Sequence, residues 1–82
     1  MENANIIVYG TSWCSDCQFT KRYFESNRIP FTWIDIESDE KARAFVVETN
    51  HGFASVPTIC FPDGSLLVEP SLNELNRRFK PQ

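Results

Sequence analysis

Two cysteines two residues apart, Cys14-Ser15-Asp16-Cys17, stand where a short apolar run gives way to a stretch free of Gly and Pro. No other feature constrains the fold of this chain as much. The run Ile6-Ile7-Val8-Tyr9 ahead of Gly10 reads as a strand buried on both faces. Beyond it, residues 15–27 lack helix breakers, and Cys17, Phe19, Thr20, Tyr23 and Phe24 recur at helical spacing. Pro30 restricts Ile29 to extended geometry, so this helix ends before it. The cysteine pair therefore falls at a strand-to-helix turn, with Cys14 at or next to the N-cap and Cys17 one turn inside. That placement predicts α-carbons about 5–6 Å apart, within disulfide range.

The rest of the chain continues the alternation. Phe31-Thr32-Trp33-Ile34-Asp35-Ile36 is aromatic and β-branched, hence a second strand, with Trp33 packing on a sheet face. Ser38 is the expected cap of a second helix, with Asp39 and Glu40 in its first turn. Ala42, Phe45, Val46 and Thr49 form its inner stripe, and Gly52 is its stop. Thr58-Ile59-Cys60-Phe61, the turn Pro62-Asp63-Gly64 and Leu66-Leu67-Val68 predict an antiparallel hairpin. Ser71 and Glu74 are spaced as a capping box for a last helix that turns Leu72, Leu75 and Phe79 inward. The order β-α-β-α-β-β-α predicts an α/β domain: a four-stranded mixed sheet flanked by three helices, its first two strands parallel. At 82 residues the chain is a single domain, residues 1–82, and its 7 Phe supply the large buried rings a small core needs.

Charge and cysteine usage narrow the chemistry. A net charge of −3 with no basic stripe leaves nothing to neutralise phosphates, so nucleic acid is not an expected partner. Arg77, Arg78 and Lys80 read as cations favouring a helix C-terminus. Residues 1–5 lack the basic flank and apolar stretch of a signal peptide, and no apolar run spans a membrane. The expected setting is a reducing cytoplasm, and the expected state a monomer. There a close Cys pair points to redox chemistry or to metal, and its position between a strand and a helix favours redox. A zinc site made of Cys14, Cys17, Cys60 and His51 would have suitable ligand types, but His51 and Cys60 show no metal-knuckle spacing. No metal is expected; Cys60 reads as a small buried hydrophobe and His51 as a helix-end residue.

The helix N-terminus offers unpaired N–H groups and partial positive charge to the Cys14 sulfur, favouring the thiolate, which is the nucleophile. Asp16 opposes this by its charge, or simply suits the helix N-terminus, while Lys21 and Arg22 lie one to two turns further on. Cys17, tucked against the helix, is expected to be the less accessible thiol. Cys14 then attacks a disulfide and Cys17 displaces the product. Trp13, beside the nucleophile at a loop tip, is expected to be a partly exposed substrate contact.

Tyr9-Gly10-Thr11-Ser12-Trp13-Cys14-Ser15-Asp16-Cys17, with Ser55-Val56-Pro57-Thr58 further on, resembles the glutaredoxin family. Trp13 before Cys14, the turn Phe61-Pro62-Asp63-Gly64-Ser65, and Pro70-Ser71 opening the last helix are most similar to its mycoredoxin-type branch. The resemblance implies a thioredoxin-like fold and a thiol–disulfide oxidoreductase with Cys14 attacking and Cys17 resolving. It also implies a cis bond between Val56 and Pro57, and a substrate groove lined by Thr11, Trp13, Val56 and Pro57. The implied co-substrate is a low-molecular-weight thiol, glutathione, mycothiol or similar, and the implied substrates are disulfide-containing proteins. Three features depart from the family pattern. Ser15-Asp16 replaces Pro-Tyr between the cysteines, and Thr11 stands where Lys is common. Leu67-Val68-Glu69-Pro70-Ser71 replaces a Gly-Gly-x-x-Asp segment that helps hold glutathione's γ-glutamyl end. An alternative is a dedicated electron donor to one reductase, itself fed by thioredoxin reductase; a metal-binding module is a third.

Overall fold

β1 (Ile7–Gly10), α1 (Ser15–Ser26), β2 (Thr32–Asp35), α2 (Glu40–Thr49), β3 (Thr58–Cys60), β4 (Leu66–Val68) and α3 (Leu72–Phe79) follow one another in the expected order. They are seen in a computed structural model that describes residues 6–79; residues 1–5 and Lys80 of the basic C-terminal cluster lie outside the described residues. The strand order is β2-β1-β3-β4. β1 runs parallel to β2 and antiparallel to β3, and β3 and β4 form the antiparallel hairpin. The four-stranded mixed sheet is therefore as the sequence predicts. No helix among the described residues is long and apolar enough to cross a membrane.

β1 is paired on both sides, so its side chains alternate between two apolar layers. On one face Ile6 and Val8 join Tyr23 and Phe24 of α1, Ile59, Phe61 and Leu75 of α3. On the other, Tyr9 and Ile34 pack with Ile36 and with Ala42 and Val46 of α2. Helices thus cover both faces, α1 and α3 on one and α2 on the other. Phe24 is the centre of the larger layer, with ring centroids of Phe31 and Phe79 each 5.3 Å away in edge-to-face arrangement.

Local signals set the boundaries. The capping box forms: the Ser71 N–H donates to Glu74 Oε1 at 2.9 Å, and the Glu74 N–H to Ser71 Oγ at 3.2 Å. Gly64, at φ 90°, donates its N–H to the Phe61 carbonyl at 2.9 Å and closes the hairpin turn.

Several expectations shift. The cap of α2 is Asp39, whose Oδ1 accepts from the Ala42 N–H at 3.0 Å. Ser38 instead turns its hydroxyl to the Asp35 carbonyl at 3.3 Å, consumed by the bend that ends β2. The apolar stripes are narrower than their spacing implies: Phe19, Phe45 and Leu72 are exposed, since each helix meets the sheet on one side only. Phe45 stays partly covered by Tyr9, ring centroids 5.1 Å apart. Cys60 is half-buried rather than a core residue. The stop of α2 is as expected: the helix ends at Thr49 with Asn50 as C-cap. Gly52, at φ 101°, lies just past it and donates its N–H to the Val47 carbonyl at 2.8 Å, although His51 already takes a left-handed φ of 60°.

Candidate active site

Cys14 is the N-cap of α1, in extended conformation (φ −86°, ψ 122°), and its carbonyl accepts from the Gln18 N–H at 3.1 Å. Its side chain makes no cap hydrogen bond, so the sulfur remains available at the mouth of the helix. Cys14 is half-buried. Its thiol points toward the Val56 carbonyl, with 4.0 Å between Sγ and O. The Val56–Pro57 peptide is cis. The segment around it is tied down at both ends. Thr58 Oγ1 donates to the Ser55 carbonyl at 2.7 Å and accepts from Asn50 Nδ2 at 3.2 Å. The Glu69 N–H donates to the Pro57 carbonyl at 2.9 Å. Val56 is half-exposed and Pro57 buried.

Cys17, one helical turn on, has 0% of its surface exposed. Burial pushes its thiol up from the ordinary 9.0 to about 12, with the neighbouring Cys14 sulfur adding to the push. The Thr11 backbone N–H and hydroxyl oppose it. Thr11 itself is 2% exposed and its hydroxyl completes no hydrogen bond of full geometry. The structure thus places Thr11 beneath the thiol pair, away from the open surface where Trp13 lies.

Trp13 is 70% exposed. Its Nε1–H donates to Glu37 Oε2 at 2.8 Å, and the Glu37 N–H donates to Asp35 Oδ1 at 2.9 Å. The bend after β2 therefore fixes the indole beside Cys14. Asp16 is exposed in the first turn of α1, where its charge suits the helix dipole.

Sequence reasoning did not find Glu37, and it read Trp33 as packing alone. A side chain on Gly10 would meet Cη2 of Trp33 at 2.5 Å, Cζ3 at 2.9 Å and Sγ of Cys17 at 2.9 Å. The one available signal was a glycine ending an apolar strand just ahead of the cysteine pair, which marks close approach of other groups. The structure does not bring His51 and Cys60 to the pair. Among the described residues no three His, Cys, Asp or Glu converge as metal ligands. Burial raises the Cys60 thiol as well.

The Cys17 thiol gives a stability consequence with a definite sign. Between about pH 9 and about pH 12 the native state keeps a proton that the unfolded chain has lost. Stability falls as pH rises wherever the native state binds the extra proton. The reduced protein is expected to lose stability across that window, more steeply than its Cys17→Ala variant. Urea midpoints measured from about pH 8 to about pH 11 check this; parallel declines would contradict it.

Comparison with known proteins agrees with this geometry. The family model described as glutaredoxin matches residues 6–66. A Mycobacterium tuberculosis protein bearing the name glutaredoxin is 40% identical over 78 residues, covering 95% of this chain and 93% of the relative. Mycoredoxin 1 of Corynebacterium glutamicum is 29% identical over 72 residues, covering 88% and 89% respectively. The crystal structure of a glutaredoxin from Archaeoglobus fulgidus superposes with a TM-score of 0.74, covering 99% of this chain and 98% of that one, at 21% identity, and so shares the fold. The chain belongs to the glutaredoxin family and is a thiol–disulfide oxidoreductase.

Proposed function

We propose that this glutaredoxin-family oxidoreductase works with Cys14 as attacking thiol and Cys17 as resolving thiol, using a low-molecular-weight thiol as reductant. Its substrates are then mixed disulfides and disulfide-containing proteins. The observation that carries the assignment is the asymmetry of the pair: Cys14 has open surface at the helix mouth, whereas Cys17 has none. Only the Cys14 sulfur can meet an external disulfide without the helix moving. Its thiolate attacks one sulfur of the substrate, forming a Cys14 mixed disulfide and releasing the other sulfur as a thiolate that takes up a proton. Cys17 then loses its proton and attacks Cys14 Sγ. The Cys14–Cys17 bond forms, the bond to the substrate sulfur breaks, and that sulfur leaves as the second thiol. Two electrons have passed to the substrate, and two molecules of reducing thiol restore the pair.

Around the nucleophile, the Val56 main chain and the Trp13 indole flank the path of the incoming disulfide. Val56 offers backbone hydrogen bonding to a peptide-like thiol, Pro57 shapes the wall behind it, and Thr11 acts from beneath the pair. Mapping the first adduct formed with substoichiometric glutathione disulfide tests the roles: it is expected on Cys14, and a first adduct on Cys17 would reverse them.

One observation favours a protein reductase as the electron source in place of a small thiol. In the 67–71 segment, Leu67 and Val68 belong to β4, and the Ser71 hydroxyl and N–H are both used in the capping box. Those groups are then not free to hold a γ-glutamyl carboxylate. Rates of reduction of the oxidised protein by glutathione, mycothiol, bacillithiol and thioredoxin reductase separate the two. A response to a small thiol upholds the first reading, and a response to the reductase alone replaces it.

A further inference from the structure

We infer that Trp33, an edge-strand residue clamped by Lys21, is a positioning residue for the resolving thiol: its indole seals the Cys17 sulfur from water. The inference rests on Cys17 being that thiol. β2 is the outer strand of the sheet on the side of β1 away from β3. Trp33 pairs in register with Val8, whose side chain lies on the face covered by α1. Cys17 is in the first turn of that helix, above the end of β1 at Gly10. The space that a side chain at Gly10 would take is instead shared by the tip of the indole and by the Cys17 sulfur. A carbon placed there would lie 2.5 Å from Trp33 Cη2 and 2.9 Å from Cys17 Sγ. Sulfur and ring edge therefore flank the same small space, at about the separation of a sulfur–aromatic contact.

On the edge side no further strand among the described residues shields the gap between α1 and the sheet, so the indole does. Lys21, one turn after Cys17 on α1, sets its Nζ 4.5 Å from the centre of the same ring and holds it from outside. Trp33 is half-buried while the sulfur behind it is fully buried, as a cover requires. A sealed Cys17 slows its own ionisation and attack. The Cys14 mixed disulfide then lasts long enough for an external thiol to reach it in competition with ring closure.

The test uses the Cys14→Ser protein, in which iodoacetamide labelling of Cys17 is followed by peptide mapping apart from Cys60. Adding Trp33→Ala is expected to speed Cys17 labelling by about tenfold or more, and Trp33→Phe, whose ring is too short to reach Gly10, to do so by a smaller factor. Should Trp33→Ala not fold, Trp33→Phe carries the comparison. A second readout leaves Trp33 in place. Trp13→Phe makes it the sole tryptophan of the chain, and its emission is expected to change in intensity when the Cys14–Cys17 disulfide forms beside it. Unchanged Cys17 labelling with unchanged emission overturns the role of Trp33. A first glutathione adduct on Cys14 would in that case leave the thiol roles standing.

Discussion

Cys17→Ser is expected to retain a substrate on Cys14 as a stable mixed disulfide, while Cys14→Ser forms none and loses exchange activity by about a thousandfold or more. The two effects follow from one geometry. Cys14 is half-exposed at the N-terminus of α1, so its removal takes away the only member of the pair with open surface, the one proposed to meet a disulfide from solution. Cys17 is fully buried behind it, so in the proposed roles it acts only on what Cys14 has already captured. Replacing Cys17 by Ser keeps the volume nearly the same and removes the second nucleophile, so the captured species has no internal exit. The variants separate on intact-mass spectra after incubation with a disulfide-containing protein and dilution. Cys60→Ser serves as the control and is expected to behave as wild type, because Cys60 lies on β3 and is paired in register with Ile7 and Leu66. Equal trapping by Cys14→Ser and Cys17→Ser would remove the assignment of roles.

The parts of the fold that were legible in the sequence are those fixed by residues close together in it. The hairpin turn needs only Pro62, Asp63 and Gly64, and the Asp63 carboxylate confirms it by accepting from both the N–H and the hydroxyl of Ser65, at 2.9 and 2.6 Å. The Ser71–Glu74 box is likewise complete within one turn. The α2 cap was ambiguous because Ser38 and Asp39 are both good caps; the bend that closes β2 decides between them by using the serine.

The site divides in the same way. Cys14 and Cys17 could be placed from spacing and a strand-to-helix junction. Glu37 and Trp33 could not, since their contacts depend on the register of β1 against β2, which sets Val8 beside Trp33 and Gly10 beside Asp35. Shifting that register by one residue would turn Trp33 to the other face and away from α1. Thr11 shows the converse limit: family likeness pointed to a groove residue, while the tight turn after β1 buries it against Cys17.

Phe24→Ala is expected to cost about 3–5 kcal/mol of stability, the largest loss from any single core truncation here. An 82-residue domain holds a total of about 4–12 kcal/mol, so this one ring accounts for a large share of it. The reason is where its neighbours come from. Phe24 is fully buried and touches Tyr23 on its own helix, Phe31 at the entry to β2 and Phe79 at the end of α3, with centroids 6.2, 5.3 and 5.3 Å away. Three separate elements are joined through it, and none can move inward to fill the void without losing its own edge-to-face contacts. Partial collapse is therefore small and the cavity cost is near its upper range. Leu72→Ala, at a site 50% exposed on α3, is the matched comparison and is expected to cost less than about 1 kcal/mol. Denaturant midpoints for both variants check the difference. The loss also reaches the thiol pair, because Phe24 pins the C-terminal half of the helix whose first turn buries Cys17. Loosening that half is expected to raise Cys17 labelling alongside the fall in stability. A Phe24→Ala protein as stable as Leu72→Ala would show that α1 is held by its contacts with β1 alone, and that the ring cluster is not what fixes the helix over the sheet.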